Sequence, residues 1–150
     1  MITVYDDERY LIDTTPAVAL TKDIFESDFF TEKCRFPEEI VYELRDNQNY
    51  KYIQTHEIPI SIGVLSFLQS TVLTGLDKSM KVLDLYKNNG NGDVFLIATV
   101  LDERHKESGR LFRTQWTIVT EDKGVVSMAK QYDIHTMNTD QFIEVARGRL

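Results

Sequence analysis

The stretch Thr117-Ile118-Val119-Thr120-Glu121-Asp122-Lys123-Gly124 decides the fold. Thr117, Ile118 and Val119 form a short β-branched run of the kind that fills a buried strand. Thr120 ends it, Glu121 and Asp122 follow at once, and Val125 to Lys130 opens a helical pattern. A strand that stops at a polar turn and feeds a helix sets that turn at the carboxyl edge of a sheet, where open α/β folds place their sites. Asp122 stands there at the start of a helix. Unpaired N–H groups and the helix dipole favour negative charge at that position.

The other end of the chain repeats the arrangement. Tyr10-Leu11-Ile12 is an apolar strand signal that Asp13-Thr14-Thr15-Pro16 stops. Pro16 suits the first turn of a helix, which Ala17 to Leu20 continues. Two strands thus each end in an aspartate.

Between these ends the pattern alternates. Residues 2–5 read as an edge strand or a frayed start, 16–27 as a helix and 33–36 as a link or short strand. Pro37 opens a second helix with Ile40, Val41 and Leu44 on one stripe and Glu43 beside it; Asp46 to Asn49 ends it. Residues 50–56 alternate and predict a strand. Pro59 starts a helical region carried by Ile62, Leu65, Phe67, Leu68, Val72 and Leu73, broken at Gly75 and resumed over 76–86. Residues 88–92 form a Gly- and Asn-rich loop. Asp93 follows, and Val94 to Leu101 is apolar nearly all round, which predicts a buried helix. Residues 102–109 are charged and read as exposed. After the Thr117 strand and a helix over 122–131, residues 133–136 make a last strand, and Asn138 or Thr139 caps a final helix through Ala146. No repeat or linker divides residues 1–150, so a single domain is expected. The β-α rhythm predicts a three-layer α/β/α fold, with a mainly parallel sheet and helices on both faces.

The net charge of −7 argues against a protein that binds nucleic acid through a broad basic face. It agrees with one that gathers carboxylates to hold cations. The single Cys34 excludes an internal disulfide and a cysteine metal cluster. No apolar run reaches bilayer length, and residues 1–9 are acidic with no signal-peptide core. A cytoplasmic protein with no membrane association is expected.

Four acids share one context. Asp13 and Asp122 each follow a strand, Asp93 follows the Gly-rich loop, and Glu43 lies in the helix opened by Pro37. Any one alone is usually a cap or a solvated charge. Gathered at one sheet edge, they repel one another unless protons or cations intervene. Mg²⁺ and Mn²⁺ are hard, oxygen-seeking ions that suit such a cluster. Two of them can activate a water and stabilise the leaving oxygen of a phosphodiester. Glu38, Glu39, Glu121 and Asp102 read as solvated or capping residues, His56, His105 and His135 as structural, and Trp116 as packing. Lys123, Arg110 and Arg113 lie near the acids in sequence and are candidate phosphate contacts.

With these residues placed, the chain resembles the PIN-domain nucleases over nearly its whole length. Leu11-Ile12-Asp13-Thr14 looks like the family's opening strand and first aspartate. Phe36 to Asp46 is similar to the segment that carries its glutamate, which maps to Glu43. Gly92-Asp93-Val94-Phe95-Leu96-Ile97-Ala98-Thr99 looks like the third acidic site, and Val119-Thr120-Glu121-Asp122-Lys123-Gly124 like the last. All four stand in the family's order and context. Thr15 departs from the pattern, since many members carry a small amide or Ser two places after the first aspartate. The resemblance implies a parallel sheet of about five strands and a Mg²⁺- or Mn²⁺-dependent endoribonuclease that cuts single-stranded RNA and leaves a 3′ hydroxyl. It implies Asp13, Glu43, Asp93 and Asp122 as catalytic and metal residues, with Thr14, Thr120 and Lys123 in support.

Three other readings compete. One is an inactive PIN-like RNA-binding or interaction module, against which the retention of all four acids speaks. Another is the toxin ribonuclease of a toxin–antitoxin pair, held silent by an antitoxin partner. A doubly wound response-type domain needs a Lys after a late strand, and no strand here ends in one. A regulator protein and a homodimer stand open as partners beside the RNA substrate.

Overall fold

The computed structural model describes residues 3–69 and 91–150, with side chains in the second segment from 94 onward. The readings at 70–90, including Val72, Leu73, Gly75 and the helix over 76–86, lie outside the described residues.

The chain starts with β1 (Val4–Ile12), three short helices α1 (Thr14–Val18), α2 (Lys22–Phe25) and α3 (Asp28–Lys33), and β2 (Cys34–Pro37). Then come α4 (Glu38–Glu43), α5 (Tyr50–Gln54), β3 (Glu57–Ile58) and α6 (Ile62–Phe67). The second segment holds α7 (Asn91–Lys106), β4 (Phe112–Val119), α8 (Lys123–Gln131), β5 (His135–Met137) and α9 (Thr139–Arg147). The five strands form one sheet in the order β3-β2-β1-β4-β5. Each neighbouring pair is parallel. Helices cover both faces, a three-layer α/β/α arrangement of PIN-like form.

Strand periodicity explains the layers. On β1, Tyr10 and Ile12 face a core with Phe25, Phe29, Phe30, Phe36 and Phe142. Leu11, between them, points to the opposite core with Leu96, Ile97, Val100, Trp116 and Ile118. Successive side chains on a strand point to opposite faces, so a central parallel strand must be apolar on both. Tyr10 also meets Phe29 and Phe142 with ring centroids 5.5 and 5.4 Å apart.

Five local expectations are corrected. Val4 and Tyr5, expected in an edge strand or a frayed start, open the central β1, which pairs with β4 from Val4↔Phe112 to Ile12↔Val119. The helix expected over 16–27 is two pieces, because Thr21 is extended and caps α2; Ser27 then caps α3 by accepting from Phe30 N–H at 3.2 Å. The Ser27 hydroxyl competes with helix continuation in this way. Residues 50–56 are helical through Gln54, not a strand. Asn47 Oδ1 accepts from Asn49 N–H, and Asn49 carbonyl accepts from Tyr52 N–H, so turn chemistry starts a helical turn there. Asn91 and Gly92, expected in a loop, begin α7. Asp102, expected in an exposed stretch, is buried on α7, which runs on to Lys106.

Asp102 sits where α6 and α7 cross. A Cβ on Gly63 would lie 2.0 Å from Asp102 Oδ1, so glycine leaves the room that the Asp102 carboxylate fills against α6. Ser61 Oγ donates to Asp102 Oδ2 at 3.3 Å, and Lys106 Nζ stands 3.4 Å from the same oxygen.

Candidate active site

β1 has β2 on one side and β4 on the other, so the strand order reverses between β1 and β4. The crevice outside the carboxyl ends at such a switch point is the usual ligand site of an open α/β sheet. Asp13 N–H donates to Val119 carbonyl at 3.0 Å, which closes the last rung between the two strands. Asp13 and Thr120 therefore leave the sheet side by side.

Asp13 is 7% exposed. Its Oδ1 accepts from Thr14 N–H at 2.7 Å and its Oδ2 from Thr120 Oγ1 at 2.7 Å. Burial pushes its carboxyl above the usual carboxylate value; the bonds from Thr120 and Thr14 pull it back, and the nearby charge of Asp122 adds to the rise. Thr120 is itself buried, and its Oγ1 accepts from Asp122 N–H at 3.0 Å. One hydroxyl thus ties both strand-end aspartates.

Asp122 caps α8. Its Oδ1 accepts from Gly124 N–H at 2.7 Å and Val125 N–H at 3.1 Å, satisfying two of the donors a helix start leaves unpaired. Its Oδ2 has no donor among the described residues. Glu43 is exposed at the end of α4 and joins from the other side, its Oε2 accepting from Thr14 Oγ1 at 2.6 Å. The chain Glu43–Thr14–Asp13–Thr120–Asp122 is therefore one hydrogen-bonded run along the carboxyl edge. Asp93 is the third residue of α7. That helix packs on the sheet and joins β4 through residues 107–111.

The remaining candidates divide. Lys123 is exposed at the first position of α8, next to Asp122. Arg110 and Arg113 lie at the amino end of β4, where Arg113 Nε donates to Arg110 carbonyl at 2.8 Å. Their nearness to the acids in sequence does not survive in space, because β4 carries them to the opposite edge. Trp116 is buried in the core, as expected of packing. What sequence reasoning passed over is the Thr14–Glu43 link: a Thr after a strand-end Asp reads as a cap, and only the fold brings α4 to it.

Among the described residues no three His, Cys, Asp or Glu side chains stand together as a metal-holding group. The chemistry of the donors nonetheless suits a hard cation. Asp13 is a buried carboxylate whose charge is disfavoured, and Asp122 keeps one oxygen free of donors beside it. Positive charge at this edge relieves both conditions. Among the described residues no helix is long and apolar enough to cross a membrane.

No family model and no curated protein matches the sequence. Among solved structures, that of FitAB bound to an IR36 DNA fragment is similar, with a TM-score of 0.51 and 14% identity over 87% of this chain and 94% of that one. At this identity the likeness is one of fold, here a five-stranded parallel, PIN-like architecture.

Proposed function

We propose that this chain is a divalent-metal-dependent endoribonuclease acting on single-stranded RNA at Asp13, Glu43, Asp93 and Asp122. The observation that carries the reading is the run Glu43–Thr14–Asp13–Thr120–Asp122 at the switch point of the sheet. Asp13, Asp93 and Asp122 are the residues to hold Mg²⁺ or Mn²⁺, with Glu43 holding it or orienting water. Bound there, the cation would supply a Lewis acid that lowers the pKa of the attacking water and offsets charge on the phosphate. Thr14 fixes the Glu43 carboxylate, and Thr120 holds Asp13 and the Asp122 backbone in register. Lys123, exposed beside Asp122, would meet a phosphate in this reading. The reading is tested by incubating purified, tag-free protein with end-labelled single-stranded RNA. Cleavage with Mn²⁺ or Mg²⁺, 3′ hydroxyl ends and loss of activity in EDTA are expected; intact RNA with both metals would overturn it.

A second reading is favoured by the likeness to FitAB bound to DNA. In it the same nuclease is a toxin whose site is silenced by an antitoxin partner. Co-expression with the product of the adjacent gene then yields a stable complex and suppresses growth arrest caused by this chain alone. No growth arrest on induction would exclude it.

A further inference from the structure

We propose that the cleft between the α1–α2 turn and the α4–α5 turn binds the single-stranded nucleic acid on one side of the reacting phosphate; this deepens the nuclease reading and rests on it. The cleft, about 430 Å³, is lined by Thr21, Lys22, Gln48, Asn49, Lys51 and Tyr52. It carries two ammonium groups and no carboxylate. That is unusual in a chain of net charge −7. Two other clefts among the described residues each carry three carboxylates, Asp6, Asp7 and Glu8 beside Lys33 and Arg149 in one, and Glu38, Glu39 and Glu57 in the other.

The lysines are available. Among the described residues neither Lys22 nor Lys51 is in an ion pair; Lys51 Nζ lies over the Tyr52 ring, 5.1 Å from its centroid. Asp23, next to Lys22 in the chain, is held instead by Arg147 Nη1 at 2.9 Å. The Tyr52 ring packs on buried Phe25 at 5.7 Å and 17°. Two cations and two side-chain amides are what a single strand needs: charge for the phosphates, and donors and acceptors for base edges.

The location follows from connectivity. Thr14 and Glu43 meet at the carboxylate run. The chain leaves Thr14 through α1 to Thr21 and Lys22, and leaves Glu43 through Leu44 to Gln48 and Asn49. The same two segments that meet at the site therefore continue outward and form the cleft walls. A strand entering the acidic edge gains its counter-charge here.

The test is binding of a fluorescein-labelled 12-nucleotide single-stranded RNA, read by anisotropy in EDTA, so that no cleavage is needed. Wild type, Lys22→Ala/Lys51→Ala and the control Lys130→Ala are titrated at several salt concentrations. The double variant should bind roughly tenfold more weakly, and its log K against log salt slope should fall by about 1.4, two contacts at about 0.7 each. Lys130→Ala should match wild type. Equal affinity and equal slope in the double variant would overturn the proposal, as would loss of poly-glutamate binding with RNA binding unchanged, which would make the cleft a dock for an acidic protein segment. The two readings fail separately. Metal-dependent cleavage with unchanged KM in the double variant sinks the cleft and leaves the nuclease standing. A slope change without cleavage by any metal does the reverse.

Discussion

Thr120 Oγ1 donates to Asp13 Oδ2 at 2.7 Å, a buried hydrogen bond between residues 107 positions apart. It joins the first residue after β4 to the first after β1, and the same oxygen accepts from Asp122 N–H. The hydroxyl sets the spacing of the acidic edge.

Replacing Thr120 by Val keeps the shape and removes the hydroxyl. Asp13 Oδ2 and Asp122 N–H then lose their partner, and an unsatisfied buried group costs about 1–3 kcal/mol. Urea unfolding of Thr120→Val should show a loss of that size, with Mn²⁺ affinity also reduced. Thr120→Ser keeps the hydroxyl and should stay within about 1 kcal/mol of wild type. Equal stability of Thr120→Val and wild type would show that the bond sets nothing.

Asp122 is both a helix cap and a candidate ligand, and two variants separate the roles. Asp122→Ala loses the acceptor for Gly124 and Val125 N–H and should cost about 1 kcal/mol. Asp122→Asn still caps. It gives up the charge–dipole attraction, about 0.3–1 kcal/mol, but relieves repulsion with Asp13, so apo stability should change little. Mn²⁺ binding by calorimetry should weaken in both. Undiminished binding in Asp122→Asn would make Asp122 a cap alone.

The pH dependence follows from Asp13. Burial, with the Asp122 charge, holds its folded-state pKa above the unfolded value. Its contribution to stability is therefore fully present below the unfolded pKa and is lost as pH rises through the folded pKa. Metal-free Asp13→Asn should gain on wild type above the folded pKa, and the gap should close on acidification below about 3.9. Thermal melts of both proteins from pH 7 downward measure it; a gap that widens toward acid would reverse the sign.

Gly63→Ala tests the α6–α7 crossing. Its Cβ would fall 2.0 Å from Asp102 Oδ1 and 2.8 Å from Cγ, and Asp102 is buried and held by Ser61 and Lys106. Overpacking of this kind costs about 1–3 kcal/mol. The double variant Gly63→Ala/Asp102→Ala should recover part of the loss. No recovery would place the strain elsewhere.

How far the sequence could be read depended on what each segment's shape answers to. Tyr10-Leu11-Ile12 and Thr117-Ile118-Val119 reported central strands because both faces of a parallel sheet are buried there. The amino halves of the same strands, Val4 to Arg9 and Phe112 to Gln115, are polar or exposed; their extended form comes from pairing with each other, which no local pattern encodes. The α5 segment alternates like a strand, yet Asn47 and Asn49 start a helical turn and only Ile53 is fully buried. Asp102 reads as solvated from its charged neighbours; its burial depends on Gly63, a residue 39 positions away on another helix. At the site, Asp13 and Asp122 were legible as strand-end acids. The two threonine hydroxyls that tie them to Glu43 and to each other were not, since a Thr beside an Asp has the same local signature in any cap. Lys22 and Lys51 stand on separate helices, and only the fold brings the two turns together.

The most direct test of the nuclease reading is cleavage of end-labelled single-stranded RNA in Mn²⁺ by wild type, Asp93→Asn and Asp122→Asn, each purified identically and shown by circular dichroism to be folded. The neutral amide is nearly isosteric but a poorer ligand. Each substitution is expected to remove most of the rate, on the order of 10²-fold, with EDTA abolishing the remainder. Cleavage equal to wild type in both variants would contradict the reading, because the activity would then belong to another site or another protein.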